Sequence, residues 1–482
     1  MLFSSLFAKT AEYEKLAHAL SAPGACALFG LPGSGRAMVY AALAKSTGRF
    51  LCIVTPGEAE ATRFAGDLNA LGIPTAVFPA RDYVLRPIEG TAREYEYRRL
   101  SVLGDIVGGR LQAVCVPDEG LTQYTTPRAE FCNNTRTLHP GDSVPRTELT
   151  ALLYNAGYAR RAQVDGPGQF SIRGDIVDLY APDMKLPVRM EFWGDEIDTM
   201  HTFDLATQRR EDPIEKIYVS PAREVLFGSP AEAAELLRAF IKKFRGKKRT
   251  ALEACLATEL AQLDGGALPV NMDKYLAVRY PQPATLLDDF DDPLLVLEEP
   301  ASLREAERAT TDRRGEEISA LLQDGVLAAG LDNLYAENGY LWAQAANHRT
   351  ICAENFARSM PDIPLKDIVN APAHTLPAWG GEVTSLLEDL QPLCNGGASV
   401  TVLAGTQRAA AGLAADLRTK GLLVTTDPDA VPGAGLVQVL PGQLSAGCSV
   451  PFAKYALFTA RAFGISSTQK KKKRNKDALN SL

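Results

Sequence analysis

Residues 25–117 alternate short apolar runs with segments of helical length, and this alternation constrains the fold more than any other feature of the chain. The runs ACALFG, FLCIVTP, TAVFP and LQAVCVP are each about as long as one buried strand. Between them lie RAMVYAALAKS, EAEATRFAGDLNAL and AREYEYRRLSVLGDIV, which have the spacing of amphipathic helices. Strands that alternate with helices predict βαβ units, so we expect an α/β domain with a parallel sheet.

The first run leads into the glycine-rich loop GLPGSGRAM, residues 30–38. In a working phosphate-binding loop a lysine reaches the β- and γ-phosphates and a hydroxyl ligates Mg²⁺. Here Arg36 occupies the lysine position and Ala37 the hydroxyl position, and a planar guanidinium does not replace a compact ammonium. The loop predicts a degenerate P-loop NTPase-like domain that has no cofactor, no metal and no catalytic residue, although binding of a simple anion stays open. Its residues are Gly30, Gly33, Gly35, Arg36 and Ala37.

A second run, LLVLEE at residues 294–299, is similar to a Walker B strand, in which an acidic residue at the strand end holds Mg²⁺. The favoured interpretation is a core strand followed by a polar turn at Pro300. We expect helical segments around this strand, and a further strand–helix–strand unit from about residue 370 onward.

Residues 165–210 have a different pattern, in which Val188, Met190 and Phe192 alternate with Arg189 and Glu191. Such alternation, with glycine-rich turns at 166–168 and 194–195, predicts antiparallel strands. We therefore expect a small α+β domain inserted into the parallel-sheet domain.

This segment also combines arginines with aromatic residues, a composition typical of interface anchors. For any single arginine, pairing with a nearby Asp175, Asp178 or Glu191 is an equal alternative, whereas the cluster as a whole favours a partner surface. The arginines are Arg160, Arg161, Arg173 and Arg189, and the aromatic residues are Tyr158, Phe170, Tyr180 and Trp193.

Composition limits the other classes of function. The formal net charge is −7, so nucleic-acid binding would have to be local, at the basic runs 242–249 or 470–476. A solvated face or a linker is the favoured interpretation of both runs. The eight cysteines form no CxxC pair, and the acidic residues at 195, 196 and 198 are interpreted as solvated. The scattered cysteines are interpreted as buried reduced thiols of a cytoplasmic protein, and we expect no signal peptide and no membrane span.

The segment GYARRAQVDGPGQFSIRGDIVDLYAP, followed by LPVRMEFWGDEIDTMHTFDLATQRR, resembles the second domain of the bacterial transcription-repair coupling factors (Mfd). That domain is shared with the excision-repair helicase UvrB. The loop fits the resemblance, because the N-terminal module of the coupling factors is UvrB-like with a decayed nucleotide site. UvrB itself would have an intact loop ending in Gly-Lys-Thr and an acidic motif followed by histidine, whereas this chain has Glu298-Glu299-Pro300.

The resemblance implies an order of domains. Residues 1–122 would form a UvrB-like α/β subdomain (1a), interrupted by a UvrA-interaction domain (2) at 123–212 and completed by a second half (1b) at 213–350. A separate small α/β domain (3) would occupy 365–465. Residues 466–482 would be a basic linker toward an RNA-polymerase-interacting domain that is absent here.

The resemblance also implies a function: a non-catalytic module that recruits UvrA. Within its motifs, the main contact candidates are Arg160 and Arg173, with Arg161, Phe170 and Tyr180 as neighbours. In the family, the full-length protein displaces stalled RNA polymerase by moving along duplex DNA, with ATP and Mg²⁺ bound in motor domains absent here. The alternatives are a UvrB-type or other diverged P-loop ATPase or helicase, and a DNA-binding module that uses the basic runs.

Overall fold

The computed structural model describes residues 7–86, 93–360 and 362–460. These residues fall into two units, Phe7–Pro372 and a second unit that begins at Ala373. The basic run 470–476 and the predicted linker 466–482 lie outside the described residues.

The alternating segment forms the predicted parallel sheet. Its strands are β1 (Gly24–Phe29), β2 (Leu51–Thr55), β3 (Thr75–Val77), β4 (Ala113–Pro117), β13 (Leu294–Glu298), β14 (Arg349–Glu354) and β15 (Leu365–Asn370). They are all parallel, in the order β15-β1-β14-β13-β2-β4-β3. Every residue of β1, β2, β4 and β13 is buried, as expected for a sheet covered on both faces. The α/β class is therefore confirmed.

Helices connect and cover these strands. They are α1 (Ala11–Ala19), α2 (Gly33–Thr47), α3 (Glu58–Ala70), α4 (Glu94–Val107), α5 (Asp118–Leu121), α6 (Arg128–Asn133), α11 (Pro300–Gln323) and α12 (Tyr340–Asn347). The run 294–298 is the predicted core strand and lies between β14 and β2 in the sheet. The sheet is thus completed by chain that follows the insertion.

The inserted domain is built on an antiparallel sheet, as predicted. Its elements are β5 (Arg136–Leu138), α7 (Arg146–Asn155), β6 (Ala159–Arg160), β7 (Gln169–Arg173), β8 (Ile176–Tyr180), β9 (Val188–Trp193), β10 (Glu196–Phe203), β11 (Arg210–Pro213) and β12 (Ile217–Val219). Six strands lie in the order β11-β10-β9-β8-β7-β6, with only β6 and β7 parallel. Helix α7 covers one face, where Leu149 and Leu153 join the core of the domain.

The predicted end of this domain at residue 212 is too early. Strand β12 pairs with β5, so that Ile217 lies opposite Leu138. The core of the domain includes residues as far as Ala222. The chain must return past β5 to close this two-stranded sheet, and the domain therefore ends after β12.

A helical region follows the insertion. Its elements are α8 (Pro230–Lys242), α9 (Gly246–Asp264), a 3₁₀ turn (Met272–Tyr275), α10 (Leu276–Arg279) and a second 3₁₀ turn (Leu286–Asp289). Leu237 and Ile241 of α8 share one core with Leu252 and Leu256 of α9.

A buried ionic cluster joins these parts of the first unit. Arg99 of α4 donates from Nε to Glu224 Oε1 at 2.7 Å, and neither side chain is exposed. Arg81 Nε lies 3.1 Å from the same Glu224 oxygen, and its Nη1 and Nη2 donate to Asp273 at 2.7 and 2.9 Å. Burial alone would raise the pKa of Asp273, but the charge and hydrogen bonds of Arg81 hold it below its ordinary value.

The two chain segments that connect the inserted domain to the parallel sheet are also hydrogen bonded to each other. The Thr126 hydroxyl, on the incoming segment, donates to the Glu224 carbonyl oxygen on the returning segment at 2.6 Å. Both groups are buried. The insertion is therefore held at its base by the residue whose carboxylate completes the ionic cluster.

The second unit is a smaller α/β domain. Its elements are β16 (His374–Leu376), α13 (Val383–Asn395), β17 (Ser399–Leu403), α14 (Gln407–Thr419), β18 (Leu423–Thr425), β19 (Leu436–Leu440), β20 (Gly447–Val450), a 3₁₀ turn (Pro451–Ala453) and β21 (Tyr455–Thr459). The sheet order is β16-β20-β21-β17-β19-β18. The predicted boundaries at 350 and 365 are corrected here, because β14 extends to Glu354 and β15 pairs with β1 of the first unit.

None of the helices in the described part of the chain combines the length and the apolar composition that a membrane crossing needs.

The ionic cluster predicts a large effect of one substitution. Glu224→Ala leaves Arg99 and Arg81 buried beside each other without the carboxylate they share, so we expect the free energy of unfolding to fall by about 3–5 kcal/mol. The measurement is urea unfolding followed by circular dichroism. Glu148→Ala removes the exposed partner of Arg136 and should cost less than about 1 kcal/mol. Equal losses in both variants would show that the cluster is not a special determinant of stability.

Candidate functional site

The first candidate site lies at the carboxyl edge of the parallel sheet, where the glycine-rich loop joins β1 to α2. Gly30 has a φ of +88°, and a Cβ there would lie 3.1 Å from the Pro372 Cα atom, so the close backbone approach requires glycine. Gly33 begins α2, and its position lies against the guanidinium of Arg63 on α3. The loop thus has the strand–turn–helix context predicted for it.

Arg36 is turned inward from this loop. Its side chain is 3 % exposed and lies 2.8 Å from Glu298 Oε2 and 2.8 Å from Glu299 Oε1. Its Nη1 also donates to the Ala353 carbonyl oxygen at 3.1 Å. Glu298 at the end of β13 and Glu299 after it therefore both contact Arg36, and a helix begins at Pro300 in place of the predicted polar turn.

Tyr40, one helical turn after Arg36, completes this group. Its hydroxyl donates to Glu298 Oε1 at 2.5 Å. Burial raises the pKa of Glu298, while the positive charge of Arg36 and the bond from Tyr40 act in the opposite direction. Ala37 is fully buried and has no oxygen to offer a metal ion. Within residues 7–86, 93–360 and 362–460, no three His, Cys, Asp or Glu side chains are arranged to hold a metal.

Another carboxylate at this edge has a perturbed pKa. Asp118 follows β4, is buried, and has an Oδ1 without a hydrogen-bond partner. Burial raises the pKa of Asp118 to about 7, with a further contribution from the charge of Glu307.

The second candidate site is the polar face of the inserted sheet. Asp178 of β8 is 1 % exposed and lies opposite Arg189 of β9. Arg189 donates to it from Nε at 2.6 Å and from Nη2 at 2.9 Å, and Arg173 Nη2 donates to Asp178 Oδ2 at 2.6 Å. One buried carboxylate thus holds two arginines, which leaves this group with one net positive charge.

The candidate arginines differ in how they are held. Arg189 is mostly buried, and its guanidinium lies over the Phe203 ring at 4.5 Å. Arg173 is 48 % exposed, so Asp178 fixes one side of its guanidinium while the rest faces solvent. The side chains of Arg160 and Arg161 are exposed, and neither has an ion-pair partner in the part of the chain that the structure describes. Arg160, Arg161 and Arg173 are therefore available to a partner.

Phe170 does not belong to such a surface. Its side chain is fully buried and packs edge-on against Tyr154 of α7, with ring centroids 5.3 Å apart. The prediction that Phe170 contacts a partner is corrected accordingly, because the face of β7 that it occupies is the one covered by α7. Tyr180 is half-buried, and its hydroxyl donates to the Lys185 carbonyl oxygen at 3.2 Å.

Trp193 extends the exposed part of this face. It is 84 % exposed and alternates with the buried Phe192, so it stands on the side of the sheet that carries Arg189. The sequence pattern placed Trp193 among the aromatic residues of the segment but did not single it out as a contact. Trp193 follows Phe192, the last inward-facing residue of β9, and the alternation of the strand therefore indicates that Trp193 faces outward.

Asp118 predicts a dependence of stability on pH. The folded state keeps a proton that the unfolded state loses between about pH 4 and pH 7, so stability should fall as the pH rises through that range. Asp118→Asn stays neutral at every pH, and at pH 8 we expect it to be more stable than the parent by up to about 4 kcal/mol. At pH 4 the advantage should disappear.

Urea unfolding at several pH values measures this difference. Asp198→Asn, at an exposed carboxylate, serves as the control and should follow the parent at each pH. An Asp118→Asn variant with the parent's pH profile would show that Asp118 is already ionised in the folded protein at low pH.

Known proteins resemble both the inserted domain and most of the chain. Residues 137–225 match the UvrB interaction domain family, a range that includes β12 as the structure does. The chain is 25 % identical over 461 residues to the transcription-repair-coupling factor of Bacillus subtilis, covering 93 % of this chain and 39 % of that protein. It is 24 % identical over 416 residues to the transcription-repair-coupling factor of Staphylococcus haemolyticus, covering 84 % of this chain and 35 % of that protein. It is 23 % identical over 464 residues to the corresponding protein of Staphylococcus epidermidis, covering 94 % of this chain and 39 % of that protein.

The chain therefore spans less than two fifths of the length of these relatives. The resemblance inferred from the sequence motifs is confirmed: the chain contains a UvrB interaction domain and is similar, over most of its length, to part of the bacterial transcription-repair-coupling factors.

Proposed function

We propose that this chain is the N-terminal portion of a transcription-repair coupling factor and acts as a non-catalytic module that binds UvrA. The observation that carries the proposal is the set of available arginines inside the UvrB interaction domain, Arg160, Arg161 and Arg173. Arg160 is paired with Phe170, about 10 Å along β7 from Arg173, and it lies on the edge strand β6, on the side of the sheet that Phe170 occupies. Arg173 is on the other side of the sheet, so a partner that contacts both arginines would reach around this edge.

The geometry favours a partner that presents carboxylates. Asp178 occupies one edge of the Arg173 guanidinium and so fixes its direction, while other N–H groups remain free to donate. A guanidinium fixed before binding loses less side-chain entropy when it pairs with a carboxylate. Trp193 and the half-buried Tyr180 supply rigid aromatic area on the same domain.

The proposal includes no chemistry at the glycine-rich loop. Arg36 is neutralised by Glu298 and Glu299, so it is not free to pair with phosphates. No hydroxyl follows it in the sequence, since residues 37 and 38 are alanine and methionine. This supports a degenerate loop over the alternative of a UvrB-type ATPase or helicase.

The activity of the whole protein is a wider part of the same proposal. We infer a cytoplasmic protein that displaces stalled RNA polymerase by ATP- and Mg²⁺-dependent movement along duplex DNA and then brings in nucleotide excision repair. The similarity to transcription-repair-coupling factors, and the length by which those relatives exceed this chain, support it. Those activities would belong to regions that this chain does not contain.

The first test is direct binding to UvrA, measured by biolayer interferometry or calorimetry. We expect Arg173→Ala and Arg160→Ala each to weaken binding by about 10-fold or more, as the loss of a charged contact at an interface does. Trp193→Ala should weaken it as well. Thermal unfolding of the three variants should remain close to that of the parent, because the substituted side chains are exposed.

Two controls make this test specific. Arg136→Ala removes a partly exposed arginine, paired with Glu148, on the two-stranded sheet of the same domain and should leave UvrA affinity unchanged. Phe170→Ala should lower stability by about 3–5 kcal/mol, so any loss of binding would follow unfolding. Parent-like affinity in both the Arg173 and the Arg160 variants would remove the assignment of the site.

A second test separates the proposal from the ATPase alternative. A ligand that binds the folded state at 100 times its Kd stabilises it by about 2.7 kcal/mol, which raises the melting temperature measurably. We expect no such rise, and no phosphate release, with millimolar ATP and Mg²⁺. A rise in melting temperature with ATP and Mg²⁺, or release of phosphate, would instead support a working nucleotide site.

A further inference from the structure

The turn between α8 and α9 carries the densest positive charge in the described part of the chain. Residues 242–249 read KKFRGKKR, with six cations and no acidic residue. All six basic side chains are exposed. Because the whole chain has a formal net charge of −7, this is a local feature and not a consequence of composition.

Most of these cations have no protein partner. Arg249 pairs with Glu253 at 2.8 Å, and Lys243 Nζ lies 5.8 Å from the centroid of the Phe240 ring. Lys242, Arg245, Lys247 and Lys248 have neither an ion pair nor a side-chain hydrogen bond among the residues that the structure describes. Four like charges within seven residues repel one another unless an anion lies between them.

The turn is held in one shape by its own packing. Phe244 folds back against Phe240, with ring centroids 5.2 Å apart, and also against Gly330, where a Cβ would come within 2.7 Å of the Phe244 ring. Gly246 has a φ of +58°, which allows α9 to begin immediately after the turn. Lys247 and Lys248 consequently lie in the first turn of a 19-residue helix, and no side chain caps its N–H groups.

We propose that this helix–turn–helix tip, residues 242–249, binds the phosphate backbone of duplex DNA. Lysines are compact point charges that suit phosphates without base readout, and a helix N-terminus adds partial positive charge toward an anion. Each phosphate that is neutralised also releases condensed counterions, so a short basic stretch gains affinity at low salt.

The composition of the tip argues against other anionic partners. Protein interfaces are enriched in exposed aromatic residues and depleted in lysine, whereas the single aromatic residue of the tip is folded against the core. A membrane surface needs apolar residues that insert, and single-stranded nucleic acid needs aromatic rings on which bases stack. Duplex phosphates require neither.

The inference does not rest on the proposed function, because the tip is on different elements from the UvrA-binding candidates. Its test uses the full chain and a fluorescein-labelled duplex of about 30 base pairs, with fluorescence anisotropy recorded from about 25 to about 200 mM NaCl. We expect Arg245→Gln/Lys247→Gln/Lys248→Gln to weaken binding at the lowest salt by about 10-fold or more. The slope of log K against log salt should become shallower by about 2–3, since each phosphate that is no longer neutralised accounts for about 0.9.

A matched control variant removes three positive charges at positions outside residues 242–249. Arg358→Gln/Arg408→Gln/Lys420→Gln changes three exposed residues outside the tip and should bind the duplex like the parent. Equal affinity and equal salt slope of the parent and the tip variant would overturn the proposal, as would the same weakening in the control variant. Tip-dependent binding of polyglutamate or of phosphatidylserine vesicles, without binding of the duplex, would assign the tip to another anion and would also overturn it.

Discussion

Four charged side chains with almost no exposure meet where the inserted domain rejoins the rest of the first unit. Glu224 accepts from Arg99 and lies against Arg81, which in turn holds Asp273. These residues come from the parallel-sheet half, from the returning segment and from the helical region. A buried ion pair is weak as a source of net stability, but it is costly to break from one side. The cluster therefore specifies how these three parts join more than it adds to their total stability.

A second internal ion pair decides what the glycine-rich loop can do. A positive charge at the start of α2 would ordinarily attract phosphate, yet Arg36 contacts two carboxylates and a carbonyl oxygen of its own chain. The strand–turn–helix geometry depends on the glycine at residue 30, where the backbone approaches residues 371 and 372 closely. A glycine-rich strand–turn–helix and a free positive charge at the start of its helix are thus separate features, and this chain has the first without the second.

Local sequence patterns predicted the strands and helices of this chain well. They could not predict contacts between residues that are far apart in the sequence. The strand–helix alternation predicted the parallel sheet, and the two-residue period predicted the inserted antiparallel one. The same period could not say which face α7 would cover, so Phe170 was assigned to a surface when it belongs to the core. The partners of Arg36 are about 260 residues away, and nothing in the sequence near position 36 identifies them. The domain boundaries shifted for the same reason, because β12 and β15 pair with strands formed much earlier in the chain.

The hydrogen bond between Thr126 and Glu224 has a mechanical consequence. An inserted domain connected by two free segments would swing on its base, and its polar face would point in many directions. Here the two connections are tied to each other, and the second of them is anchored by a buried carboxylate. The insertion is therefore attached by two connections that cannot separate unless this hydrogen bond breaks. A partner that pulls on Arg173 would thus act on both connections together and, through Glu224, on the buried cluster that Arg99 and Arg81 share.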